Sequence, residues 1–270
     1  MICGELGYSR QHYYKQRSDN QHRREKEEQI LRLVHQQRKI LPRVGTRKLH
    51  QLITPEIQRS GLKCGRDSLF NIMRQSSLLA KPRKRYVQTT MSRHWMRKYP
   101  NLIRDRKATA PEQIWVSDIT YLKTEEGYAY LSLITDAYSR KIVGYNVSAS
   151  LDAEQSKKAF HMALETRRYP DRSLVHHSDR GYQYCSKEYV ELAQAHHVQM
   201  SMTEHSDPYE NALAERMNRT LKEEFCLDQI LQSRAQASAI TSEAIELYNT
   251  YRPHLALNGR TPNEVHEKPR

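Results

Sequence analysis

Three carboxylates stand out by where they sit. Asp118 interrupts the apolar run "WVSDIT", Asp179 follows the short run "SLVHHS", and Glu215 lies in "DPYENALAERMNRTLKEE". A charged side chain inside a strand-like apolar run is costly unless it points into a site. Three acids on separate rigid elements suit phosphodiester cleavage with two divalent ions, whose hard oxygen ligands hold the ions about 3.5–4 Å apart. One ion activates the attacking water or hydroxyl, the other stabilises the leaving oxygen, and one aspartate bridges them. For each acid alone, a helix cap or a structural hydrogen bond is the plainer reading. Glu215, Arg219 and Lys222 fall at i, i+4 and i+7, so they share one helical stripe. That stripe is either a solvated face with a surface ion pair or an acid with two cations that pin phosphates beside metals.

The elements that must position these residues follow from periodicity and punctuation. Asp207 as N-cap, Pro208 at the first helical position and Glu210 closing a capping box predict a helix over 207–224. Strands are expected at 114–123, in "GYAYLSLITDAYS" and "KIVGYNVSAS", at 173–179 and at 198–202, with "EEG" (125–127) turning between the first two. Helices are expected at 152–168, capped by Asp152, and at 186–197. The order β-β-β-α-β-α-β-α argues for a mixed five-stranded sheet flanked by helices, an α/β fold. In such a sheet the first and fourth strands can be neighbours, and a following helix can cross their ends. Asp118, Asp179 and Glu215 would then meet, with Gly181 allowing a tight exit after Asp179.

Upstream, "REKEEQILRLVHQQRKIL" (24–41), "GTRKLHQLI" (45–53, Thr46 as cap) and "GRDSLFNIMRQSSLL" (65–79) predict three short helices. They form either a helix-turn-helix-like module or a plain helical bundle. Residues 81–113 are basic, broken by three prolines and aperiodic, and read as a linker. Lys81, Arg83, Lys84 and Arg85 make a cluster suited to phosphates. The expected organisation is an N-terminal segment (1–23), a helical DNA-binding domain (24–80), the basic linker (81–113), a catalytic core (114–226) and a helical tail (227–270).

Charge divides the same way. Residues 1–110 hold 26 basic and 8 acidic residues, net +18, and 111–270 hold 18 and 23, net −5, summing to +13. A basic front half points to polyanion binding. Cys3, Cys64, Cys185 and Cys226 are scattered without a Cys-x-x-Cys pair, which argues against a disulfide framework or a thiolate zinc site and for a reducing cytoplasm. His176, His177, His196 and His197 lack cysteine partners at zinc spacing and read as structural or surface residues. No apolar run approaches the length of a membrane span, and no signal peptide is expected.

The blocks "WVSDIT", "HHSDRGYQY" and "PYENALAERMNRTLKEE" resemble the three active-site blocks of DDE transposases and retroviral-type integrases. Thirty-five residues separate Asp179 from Glu215 (215 − 179 − 1), as is typical of that superfamily. "YNTYRPHLALNGRTPNEVH" (248–266) and "RVGTRKLHQLI" upstream resemble the second-frame product of the bacterial insertion-sequence family three. The resemblance implies an RNase H-like core and a transposase that cleaves element ends and transfers strands. It implies Asp118, Asp179 and Glu215 as catalytic ligands of two Mg²⁺ ions, with Mn²⁺ able to substitute. Lys222 matches a basic residue that follows the glutamate, Arg219 falls where related integrases contact the DNA end, and Asn211 is a weaker DNA contact. Arg252 and His254 belong to the tail motif without an assigned role. The partners implied are terminal inverted repeats, target DNA, further copies of the chain and an upstream-frame product, in a bacterial, nucleoid-associated setting. The family's heptad zipper and the zinc module of retroviral integrases are not found in the sequence. An RNA–DNA hybrid nuclease and a non-catalytic DNA-binding protein are the rival readings.

Overall fold

A computed structural model describes residues 9–80, 95–204 and 211–268. The chain divides into two compact units, Met1–Pro82 and Arg83–Arg270.

In the first unit, helix α1 spans Arg10–Ile40, with Ser9 as N-cap accepting from the His12 backbone N–H at 3.1 Å. It starts fourteen residues before the expected residue 24, because a polar, well-capped sequence upstream is also helix-competent although it buries nothing. The helix stops at Ile40 with Leu41 as C-cap, before Pro42, whose ring disfavours helix for its neighbour. Helix α2 (Thr46–Arg59) buries Leu49, Ile53 and Ile57, and α3 (Arg66–Gln75) buries Leu69, Ile72 and Met73. These stripes close on Ile30 and Val34 of α1. Gly45, rather than Thr46, occupies the cap of α2; Thr46 is buried as its first residue.

The second unit is built on a five-stranded sheet of order β3-β2-β1-β4-β5. Its strands are β1 (Ile114–Thr124), β2 (Gly127–Asp136), β3 (Ile142–Ser148), β4 (Leu174–Ser178) and β5 (Val198–Met202). The first three pair antiparallel, whereas β1–β4 and β4–β5 are parallel. The expected neighbourhood of the first and fourth strands is present, with Trp115 opposite His176. Helix α4 (Ala153–Glu165) crosses between β3 and β4, a four-residue helix α5 (Tyr182–Cys185) follows β4, and α6 (Lys187–Ala195) leads to β5. Helix α7 (Ala212–Glu224) follows β5, α8 (Arg234–Tyr251) packs against β3, and α9 (Pro262–Glu267) is the last element.

Alternation along β1 sorts its side chains between two layers. Trp115 and Ile119 join Phe160 of α4 and Tyr189 of α6 in the larger core. Ile114 and Val116 meet Ala214 of α7 on the other face. Gly144 lies beneath α4, where a Cβ would come within 2.2 Å of the Ala159 carbonyl oxygen. The described part of the expected linker is irregular and packs on the second unit. Met96 and Tyr99 pack on the core, and the backbone N–H of Leu102 donates to Ser201 Oγ at 2.9 Å. Lys81, Arg83, Lys84 and Arg85 lie outside the described residues.

Candidate active site

Asp118 continues the even-numbered face of β1, so it points to the α7 side of the sheet. It accepts a hydrogen bond from Asn218 Nδ2 of α7 at 2.8 Å. Asp179 directly follows β4, the parallel neighbour of β1, and its Oδ1 accepts from the Gly181 backbone N–H at 2.9 Å. Gly181 has an ordinary φ of −60°. A Cβ there would stand 3.0 Å from Asp179 Oδ1 and 2.9 Å from Gln183 Oε1, so a side chain would have to displace one of these side-chain ends beside the acid. Glu215 enters from the first turn of α7.

The charge of Asp179 acts on both Asp118 and Glu215. Burial raises the Asp118 carboxyl to about 7, and the charges of Asp179 and then Glu215 add to it, against the Asn218 hydrogen bond and the Ile119 backbone N–H. Burial and then Asp179 raise Glu215 as well. Lys222 is 7 % exposed and lies 4.6 Å from the Tyr121 ring centroid. Burial draws its ammonium down to about 8, opposed by the pull of Asp118. One turn earlier, Arg219 turns outward: 63 % of its side chain is exposed, and it pairs with Glu223 at 2.9 Å rather than with Glu215. The stripe of the sequence therefore splits, with Lys222 inward and Arg219 in a surface ion pair.

The expected helix start is also corrected. Helix α7 begins at Ala212 with Asn211 as N-cap; Asp207, Pro208 and Glu210 lie outside the described residues. Asn211 is buried and donates from Nδ2 to the Ser117 carbonyl at 3.0 Å, tying the start of α7 to β1 beside Asp118.

Comparison with known proteins shows the family of the chain. Residues 108–208 and 196–262 match two integrase core domain families. The chain is 34 % identical to the uncharacterized 31 kDa protein of insertion element IS600 from Shigella sonnei, over 99 % of this chain and 98 % of that one. It is 32 % identical to transposase InsF for insertion sequence IS3A from Escherichia coli (strain K12), over 80 % of this chain and 75 % of that one. The chain belongs to the IS3 family of DDE transposases. A simian T-cell lymphotropic virus intasome, solved in complex with the PP2A regulatory subunit B56 gamma, shares the fold. Its TM-score is 0.51 at 18 % identity, over 84 % of this chain and 76 % of that one. The transposase thus carries an RNase H-like integrase core and is a polynucleotidyl transferase.

Sequence reasoning missed Asn218, which anchors Asp118. Its signal was available: a poor helix former in mid-helix, three residues after Glu215 and so on the same face. It also left Arg252 unassigned. In the transposase, Arg252 grips Glu224, at the end of α7, through two hydrogen bonds of 2.7 Å, while its Nη1 donates to His254 Nε2 at 2.6 Å. The tail motif is thus a brace for the helix that carries Glu215. His176 and His177 are fully buried, as expected of structural residues. His176 Nε2 meets Ser117 Oγ at 2.8 Å and the Tyr189 hydroxyl at 3.0 Å, and His177 Nδ1 meets Ser201 Oγ at 2.8 Å.

Among the described residues, no three of His, Cys, Asp and Glu stand close enough to hold one metal ion together. The donor chemistry nonetheless fits a hard divalent cation, since carboxylate oxygens are its preferred ligands. Burial first, and neighbouring carboxylate charge second, raise two of the three acids above their ordinary range, and a bound cation would counter both. No helix among the described residues is long and apolar enough to cross a membrane.

Proposed function

We propose that Asp118, Asp179 and Glu215 are the metal-holding catalytic residues with which this transposase cuts element ends and joins them to target DNA. The observation that supports the reading is placement: Asp118 lies on β1, Asp179 directly follows the parallel neighbour β4, and Glu215 lies in the first turn of α7, which Asn211 and Asn218 tie to β1 at Ser117 and Asp118. Magnesium, or manganese in its place, would supply positive charge for the attacking and leaving oxygens of an in-line displacement. The protein's own part is positional. Asn218 fixes one face of Asp118, Gly181 lets the chain close around Asp179, and Arg252 braces α7.

In the first step a water oxygen bonds to phosphorus at the element end. The bond to the 3′ oxygen breaks, which leaves a 3′-OH on the element and a 5′-phosphate on the flank. In the second, that hydroxyl forms the new bond to a target phosphorus, and the target 3′ oxygen departs with a proton. Lys222, inward on α7, holds the strand near the carboxylates; Arg219, Asn211 and the cluster Lys81, Arg83, Lys84 and Arg85 add phosphate contacts. The first unit is a helix-turn-helix-like DNA-binding domain. The substrates are terminal inverted repeats and target DNA, engaged by a homo-oligomer, with an upstream-frame product as partner, in the bacterial cytoplasm at the nucleoid.

The test is Asp118→Asn, Asp179→Asn and Glu215→Gln, each assayed for Mg²⁺-dependent cleavage and strand transfer beside DNA binding. Each should lose both reactions and keep binding. Substantial Mg²⁺-dependent activity in any one of them would refute its assignment.

A further inference from the structure

The N-terminal half of α1 is left unexplained by the site above. Every residue from 10 to 25 is exposed, and the helix buries only Ile30 and Val34. Over residues 10–25 it carries Arg10, Lys15, Arg17, Arg23 and Arg24 against Asp19 and Glu25, a net charge of +3 (5 − 2). Tyr13, Gln16, Arg17, Asn20, Gln21 and Arg24 are neighbours along one exposed stripe of its surface. At about 100° per residue, this stripe lies roughly a quarter turn from the Ile30–Val34 line, and Asp19 falls outside it.

We propose that this stripe is a DNA-reading surface in its own right, which lays α1 into the major groove of duplex DNA. The inference rests on the DNA-joining function proposed above and names a surface that the active site does not use. The major groove, about 12 Å wide, admits a helix. Arginine pairs with guanine O6 and N7, and asparagine and glutamine pair with adenine N6 and N7. These are the side chains in the stripe, and the positive charge matches a phosphate-lined partner. A second copy of the chain is a poorer occupant, because the stripe has no apolar seam of the kind a coiled coil buries. The helix is held ready by local bonds: the Ser9 cap, and Gln21 Nε2 donating to Glu25 Oε1 at 3.0 Å. Without tertiary cover a helical segment of this length is marginal, and DNA supplies the missing contacts.

The experiment uses the full chain and two labelled duplexes of about 30 base pairs. One carries the terminal sequence flanking the coding frame, and the other is of mixed sequence. Arg17→Ala/Arg24→Ala should weaken binding to both by about tenfold at 0.1 M salt and flatten the slope of log K against log salt. Asn20→Ala/Gln21→Ala should keep that slope and lose preference for the terminal duplex. Alanine is the best helix former, so far-UV circular dichroism should be unchanged. Wild-type affinity, slope and preference in both variants would overturn the proposal while leaving strand transfer by the parent intact. Loss of self-association in sedimentation with DNA binding unchanged would overturn it in favour of a second copy. If the parent neither bound duplex nor joined DNA, the functional reading itself would fail and take this one with it.

Discussion

Arg252→Ala tests whether the tail motif braces the catalytic helix. The Arg252 side chain is 5 % exposed and Glu224 20 % exposed, and two parallel hydrogen bonds of 2.7 Å join them. Truncating one partner of a buried ion pair costs about 3–5 kcal/mol, because the remaining charge stays in low dielectric. Glu224 keeps some access to water, so the lower end applies, about 3 kcal/mol. At roughly 2–4 °C per kcal/mol for a domain of this size, the melting temperature should fall by about 6–12 °C. Because Glu224 ends the helix that carries Glu215, strand transfer should fall at temperatures where the variant is still folded. Differential scanning calorimetry beside a strand-transfer assay at 25 °C reads both. The double variant Arg252→Leu/Glu224→Met, which removes the pair together, should recover most of the stability, since apolar replacement of a buried pair is often neutral. A shift under about 2 °C for Arg252→Ala, or a double variant as unstable as the single one, would refute the brace.

Acid stability should depend on His176, whose imidazole burial and the neighbouring His177 hold down to about 3. Below about pH 6.5 the unfolded chain binds a proton there that the folded chain does not, so stability falls as pH drops from about 6.5 towards 3, by up to about 1.4 kcal/mol per unit. His176→Gln should flatten that slope in denaturation curves, and an unchanged slope counts against it. Asn218→Ala should weaken Mn²⁺ binding by about tenfold with little loss of stability, as loss of a group that orients a metal ligand does; calorimetric titration giving the wild-type affinity would show Asp118 to be held by other means. Gly144→Ala must push α4 off the sheet from a 2.2 Å contact and should cost about 3 kcal/mol or more, read as a lowered urea midpoint; a wild-type midpoint would show that the helix yields freely.

The catalytic unit was legible because two independent signals agreed along it. Period-two apolar runs gave strands, and β5 falls at the expected 198–202. The acids that broke or ended those runs had to be explained by a site. Parity did the rest: Asp118 shares its face of β1 with Ile114 and Val116, so the same alternation that buries them against α7 aims the carboxylate at Asn218. What was not legible depended on partners far away in sequence. Nothing local distinguishes Arg219 from Lys222, yet one pairs outward with Glu223 and the other turns in over Tyr121 of β1, a partner about a hundred residues away in sequence. Arg252 could not be read either, since its partner lies 28 residues upstream. The same limit explains the start of α1. Hydrophobic periodicity finds helices by what they bury, and residues 10–25 bury nothing. A helix that buries nothing within its own chain is maintained by caps and short-range side-chain bonds alone. Its sequence is therefore free to be written for a partner, and arginine, asparagine and glutamine along one stripe are the residues that a nucleic acid would select.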